Sequence, residues 1–246
     1  MLRSMLGIVA ILAASASFAL ADPKDDIQAA LQKLTDAGSY SWTTTIDAQG
    51  GGFGAGKQEG QLDKDGLLSV TTTTNRNGDQ TTVQFVKKGD QVIVKDDDGW
   101  QTLDELNNGG GGNFMARRAR LMQSPVATAT TMLDELQNIQ VADGVYSADV
   151  SDDGAKRMLT FGRRANADAN GGPTVSNAKA TAKFWITDGI LTKSDIHVTG
   201  TVSFNGNDRD IDRTTTVEFK DVGSTTINLP PDALAKLTPP ATQPAQ

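Results

Sequence analysis

The chain has no cysteine and a single histidine, His197, in 246 residues. No disulfide can form, so the core must hold the fold by packing alone. One histidine without cysteine leaves too few ligands for a zinc site. No G-x-S-x-G elbow occurs, which removes the usual setting of a Ser-His-Asp hydrolase. After the N-terminus no apolar run approaches the length needed to span a bilayer. Excess positive charge is also lacking, since the formal net charge is −7. Such a chain repels nucleic acid and anionic membranes at long range.

The exception to this polarity is the opening, MLRSMLGIVAILAASASFALA. Arg3 supplies a positive n-region, Leu6 to Leu12 begin an apolar stretch, and Ala19-Leu20-Ala21 has the A-x-A form of a cleavage site. Residues 1–21 therefore read as a secretory signal peptide, the alternative being an uncleaved N-terminal anchor. Loss of Arg3 leaves 22 basic residues against 30 acidic ones, a net charge of −8. With no cysteine after the signal there is nothing to lipidate. The expected mature product is a secreted or periplasmic soluble protein, with one domain over residues 22–236 and a Pro-rich, disordered tail over 237–246.

Asp22 to Ala37 carries Ile27, Leu31 and Leu34 at helical spacing and stops at Gly38. The period then changes to two: Tyr40, Trp42, Thr44 and Ile46 alternate with hydroxyl residues, as in a half-buried strand. Strands are predicted over Lys57–Leu62, Leu67–Thr74, Thr81–Lys87, Gln91–Lys95 and Trp100–Leu103. Asp65-Gly66, Asn77-Gly78 and Asp98-Gly99 supply hairpin turn chemistry between them. A glycine-rich break at Gly109–Gly112 precedes two predicted helices, Phe114–Met122 and Pro125–Ile139, the second capped by Ser124. Strands resume over Val145–Val150, Met158–Arg163, Ala180–Thr187, Ile190–Thr199, Thr201–Asn205, Arg213–Lys220 and Thr225–Leu229. Asn166–Asn177 reads as a loop, and a last helical turn follows Pro230-Pro231. Short strands joined by tight turns imply an antiparallel meander rather than βαβ units. One sheet face is apolar and the other wet, so the sheet should curl around a cover.

Three near-motifs resolve into turns and surface. Gly51–Gln58, GGFGAGKQ, resembles a phosphate-binding loop. However, Gln58 stands where a Ser or Thr must ligate Mg²⁺, and QEGQLDKDG opens no helix. Asp149, Ser151, Asp153 and Gly154 match the first half of an EF-hand loop, but Thr160 stands where a bidentate Glu is needed, so a hairpin turn is predicted. In Asp195-Ile196-His197-Val198 the alternation puts His197 on the polar face. Carboxylate pairs for sugar hydrolysis remain an open reading, although most of the acids sit in turns. No enzyme activity, cofactor or metal is expected.

The order helix, meander, helix pair, meander resembles the outer-membrane lipoprotein-carrier superfamily, which includes LolA-like carriers and the LppX/LprG type of lipid-binding lipoprotein. FWITDGILTKSDIHVTG (Phe184–Gly200) is similar to that family's paired strands around a D-G turn. VEFKDVGSTTINLPPDA (Val217–Ala233) is similar to its closing segment, and the opening helix leading into SYSWTTTI also fits. There is no lipobox cysteine. The resemblance implies an α+β fold: a strongly curved antiparallel half-barrel of about 11 strands in two meanders. An N-terminal helix and a central helix pair would cover its concave face over a hydrophobic cavity. A lipid or a lipidated protein would be the guest, because burial gains about 0.8 kcal/mol per CH₂.

The inward positions expected to line such a cavity are Trp42, Ile46, Val83, Phe85, Phe184, Ile186, Val217 and Phe219. Phe114, Leu121, Met122, Met132 and Leu133 would join them from the helices. The same side chains would serve equally as a filled core. Arg117, Arg118 and Arg120 are the one basic cluster, either a solvated helix face or a clamp for an anionic head group. The competing reading of the whole chain is a non-catalytic envelope adaptor with a filled core, working through its loops on a protein partner.

Overall fold

Asp22 caps the N-terminus of α1 (Pro23–Ala37) by accepting a hydrogen bond from the Lys24 N–H at 3.0 Å. Pro23 occupies the first turn, Asp25 and Asp26 complement the helix dipole, and Gly38 closes the helix at φ 67°. Ile27, Ala30, Leu31 and Leu34 form its buried stripe. A computed structural model describes residues 22–49, 55–76, 79–97, 99–108, 116, 119–160, 173–204 and 206–237. Residues 1–21, the tail from residue 238, Asn77-Gly78, Asp98, Gly109–Gly112, most of GGFGAG, the end of the strand predicted over Met158–Arg163 and most of the loop predicted over Asn166–Asn177 lie outside these residues.

Six strands follow: β1 (Tyr40–Ala48), β2 (Gly56–Leu62), β3 (Leu67–Arg76), β4 (Asp79–Lys88), β5 (Gln91–Asp96) and β6 (Gly99–Thr102). After α2 (Leu103–Asn108) and α3 (Pro125–Met132) come β7 (Leu136–Ala142), β8 (Val145–Val150) and α4 (Asp152–Leu159). The long strands β9 (Thr174–Thr187), β10 (Ile190–Phe204) and β11 (Asn207–Lys220) lead to α5 (Pro231–Leu237). Among the described residues the strands form one antiparallel sheet, β6-β5-β4-β3-β2-β1-β11-β10-β9-β8-β7. It does not close: β6 and β7 are its edges. Two meanders are joined where β1 pairs with β11, Trp42 opposite Phe219 and Thr44 opposite Val217. The result is the curved half-barrel expected from the sequence.

Helices α1, α3 and α4 cover the concave face of the β7–β10 side: α1 packs on β7, β9 and β10, α3 on α1, and α4 on β9 and β10. Tyr146 on β8 donates a 2.9 Å hydrogen bond to Asp26 of α1. The other arm is buried on both faces. Phe85, Val92 and Val94 point into the concavity, while Leu67, Val86 and Ile93 point outward under Ile227, Leu229, Ala233 and Leu237.

Several local expectations are corrected. The second central helix stops at Met132. A 3₁₀ turn, Leu133–Glu135, follows, and Leu136 then enters β7. Leu136 is buried and Ile139 half-buried in that strand, so the apolar spacing that suggested a helix serves an edge strand instead. Of the first central helix, residues 116 and 119–120 are helical, and the Met122 N–H reaches the Ala119 carbonyl at 3.3 Å. The strand predicted from Met158 is the end of α4, capped by Ser151, with Asp152 and Asp153 in its first turn and Lys156 and Arg157 in its last. The same cap replaces the hairpin turn expected at Asp149–Gly154. Thr225–Leu229 is no strand but an extended strap whose Ile227 and Leu229 cover the outer face of β3–β6. Ile190–Phe204 is one strand that runs through Gly200.

Candidate functional site: the concave face

At the centre of the concavity Tyr40, Trp42 and Phe219 form an aromatic cluster, with ring centroids 5.7 Å apart for Tyr40–Trp42 and 5.8 Å apart for Tyr40–Phe219. Gly60 makes room for the indole, since a Cβ there would lie 2.1 Å from Trp42 Cε2. Phe184, Val217, Met132 and Leu133 are buried in the same cluster with Ile27, Leu31 and Leu34 of α1, and Ile186 packs half-buried against it. Ile46, four residues beyond Trp42 on β1, is half-buried. Burial holds the Tyr40 phenol above its ordinary pKa.

A second apolar cluster lies under β4 and β5. Phe85 and Val94 meet Ala119 and Leu106, with Val83 and Met122 at its margin. Beside it Leu121 is 67% exposed. Arg120 is exposed, and its carbonyl accepts a 3.5 Å bond from Lys87. Phe114, Arg117 and Arg118 lie outside the described residues. The centre of the described concavity is thus filled by side chains. A depression of about 270 Å³ lies instead on the opposite face of the sheet, lined by Ser41, Thr43, Glu59, Gln61, Ser69 and Gln84 among others, and it is polar.

Beyond the end of β1, where Ala48 pairs with Arg213, the β10–β11 hairpin continues as an arm carried on one side by β9. Here the sequence Asp208-Arg209-Asp210-Ile211-Asp212-Arg213 alternates with period two and sorts charge by face. The aspartates point outward and meet β10. Ser203 donates to Asp208 at 2.5 Å, Thr201 donates to Asp210 at 2.8 Å, and His197 Nε2 lies 2.8 Å from Asp212. Thus His197 is on the outer face, as the alternation predicted.

Arg209, Ile211 and Arg213 share the concave side, opposite Val202, Gly200 and Val198. Val175, Val202 and Ile211 are half-buried against the main core, and Phe204 at the tip is 50% exposed. Gly200 accommodates Leu159 of α4, whose Cδ1 would stand 2.5 Å from a Cβ. One residue earlier, the Met158 carbonyl accepts a 3.2 Å hydrogen bond from Arg213 Nη2. Burial lowers the Arg213 pKa from its ordinary value. Chemically, this end of the face offers an apolar strip with a partly desolvated guanidinium at its inner limit.

Sequence reasoning began the last strand at Arg213 and so missed the arm. The signal was present in the strict alternation of DRDIDR. The phosphate-loop resemblance ends differently: Lys57 lies in β2 and pairs with Glu59 at 2.7 Å, and a strand, not a helix, surrounds it. Among the described residues no group of three metal-ligating side chains converges. No described helix is long and apolar enough to cross a membrane.

No protein-family model matches the chain, and no curated protein matches it. Among solved structures, the chain is similar to LprF from Mycobacterium bovis, with a TM-score of 0.44 and 10% identity, over 85% of this chain and 96% of that one. LprF is of the LppX/LprG family named above. The ywiB protein from Bacillus subtilis gives a TM-score of 0.17 and 6% identity over 74% of this chain and 89% of that one.

Proposed function

We propose that this is an exported protein that binds a hydrophobic ligand, a lipid or the acyl group of a lipidated protein, against the concave face of its half-barrel. The observation that carries the reading is the extent of the apolar surface. Among the described residues it continues past the helices that fill the centre, onto Val175, Val202 and Ile211, which are only half-buried. A sheet face that needed only a packed core would end its apolar residues where the cover ends. The buried floor, with Trp42, Phe184, Val217 and Phe219, holds the curvature that shapes the strip. A guest on it gains by area, at about 0.8 kcal/mol per buried CH₂.

That gain sets the test. An uncharged environment-sensitive fluorophore is bound to the protein and displaced by octanol, decanol and dodecanol. Affinity should rise roughly tenfold for each pair of added methylenes, since about 1.6 kcal/mol exceeds the 1.4 kcal/mol of one decade. A flat series, or no displacement, contradicts ligand binding. It would move the function to the second reading, a non-catalytic envelope adaptor, which the filled centre of the face favours.

A further inference from the structure

We infer that the outer face of β1–β4 binds a neutral linear glycan, laid across the strands in the polar depression there. This goes beyond the hydrophobic-ligand reading and uses the opposite side of the sheet. The depression, about 270 Å³, lies a little below the roughly 300 Å³ at which small-molecule pockets begin. Most of its lining is uncharged: Ser41 and Thr43 from β1, Gln61 from β2, Ser69 and Thr71 from β3, and Gln84 from β4. Cross-strand register sets these side chains in two rows. Ser41, Gln61 and Ser69 stand opposite one another in the first, Thr43, Glu59, Thr71 and Gln84 in the second. Lys220 and Glu218 of β11 begin the two rows. Trp42 and Gly60 form the floor with their main chain, because the indole lies on the concave side of Gly60. A face that needed only solvation would carry charge, as the outer face of β9 and β10 does at Lys179, Lys183, Lys193 and Asp195.

The chemistry of the lining selects the guest. Each hydroxyl and amide both donates and accepts, as sugar hydroxyls do. Glu59 and Lys220 line the same depression with opposite signs, so neither an anion nor a cation gains a net attraction there. Several groups are already held in place. Ser41 donates to Asp221 at 2.7 Å, Gln84 donates to Ser69 at 2.9 Å, and Glu59 accepts from Lys57 at 2.7 Å. Each keeps spare capacity: the Gln84 amide has a second N–H and a carbonyl oxygen, and Glu59 has further lone pairs. Ser69 is 4% exposed, and Thr43 and Thr71 are β-branched and stiff at χ1. Binding therefore orders few rotamers, which spares affinity. The spacing fits as well. Strands lie about 4.8 Å apart, close to the length of one sugar unit in an extended chain. From β11 to β4 the second row takes four such steps, roughly 19 Å, so about four sugar units cover it.

The test titrates cellotetraose and chitotetraose calorimetrically into the protein, with cellobiose as a shorter comparison and maltotetraose as a curved one. At least one of the two straight tetramers should bind one-to-one. It should bind at least about tenfold more tightly than cellobiose or maltotetraose, a decade being the effect of roughly one or two neutral hydrogen bonds. Gln61→Ala, at an exposed position, should weaken that binding about three- to tenfold. Thr181→Ala, exposed on the outer face of β9 and away from the depression, should leave it unchanged. Dodecanol, a probe of the concave face, should not displace the tetramer. Three results overturn the assignment: no binding of either straight tetramer, equal affinity for cellobiose or maltotetraose, and displacement by dodecanol. Binding that Gln61→Ala leaves intact overturns it too. If Gln61→Ala fails to fold, the side-chain amide resonances of the wild type decide. Those of Gln61 and Gln84 should shift on adding the tetramer; shifts confined to other residues, or none, overturn the assignment.

Discussion

Gly60 and Trp42 show how one missing side chain sets the shape of the concavity. The indole lies where a Cβ of residue 60 would be, 2.1 Å from its ring carbons. Gly60→Ala must push Trp42 off β2 and disturb its contact with Tyr40. A cost of about 1–3 kcal/mol is expected, as for other overpacked cores. Urea denaturation reads it directly, and an unchanged midpoint would mean that Trp42 does not lie flat on the strand. Glu105 supplies a prediction in pH. It accepts from the Thr102 N–H at 2.8 Å while its own N–H donates to Thr102 Oγ1 at 3.3 Å, a reciprocal cap on α2. It also pairs with Lys236 of α5. The Lys236 hydrogen bond first, then that of Thr102, lowers its pKa to about 2. The folded value lies below the unfolded one, so the contribution is complete above about pH 4.3 and is lost as pH falls toward 2. The stability difference between wild type and Glu105→Gln should therefore be present at about pH 6 and close across that window. A difference independent of pH would contradict the pairing. Trp42, Phe184, Val217 and Phe219 were legible as inward residues because strand alternation is local. Whether they line a space or fill it was not, because that depends on α1 and α3 arriving from elsewhere in the chain.

Among the elements, α4 carries a complete helix signal in its sequence, from N-cap to last turn. Ser151 accepts from the Gly154 N–H at 3.0 Å, acids open the helix and bases close it. Ser151 also donates to Glu135, which Arg157 engages in turn, so the cap fastens α4 to the turn before β7. Ser151→Ala should cost about 0.5–2 kcal/mol, in the range of lost N-caps. Hydrogen exchange should quicken first in α4; quickening spread evenly over the sheet would contradict a local cap. The short run Met158-Leu159-Thr160-Phe161 had favoured a strand because apolar runs of that length fit either state. Strands bounded by Asp-Gly turns were easier. Asp188-Gly189, with φ of 54° and 72°, joins β9 to β10 as its sequence requires. The strap at Thr225–Leu229 has strand composition yet, among the described residues, joins no strand of the sheet. Its role is to bury the outer face of β3–β6, a long-range fact that no local pattern carries.

At the scale of the whole molecule, the consequence of two meanders meeting at β1 and β11 is, among the described residues, an open sheet with a helix-covered concavity. That much follows from the order of elements read in sequence, since consecutive antiparallel strands pair with their neighbours and curl to bury their common apolar face. The division of the concavity into a filled centre and an apolar arm did not follow from it. The division depends on how far α1, α3 and α4 reach along strands of unequal length. The central claim is that the arm holds a hydrophobic guest, and it is tested most directly on protein recovered from its own compartment. Native mass spectrometry of the mature chain from an envelope extract, followed by organic extraction and lipid analysis, should show a one-to-one adduct that extracts as an amphiphile. A clean apo mass that stays unchanged after incubation with mixed lipids and acylated peptides would contradict the account.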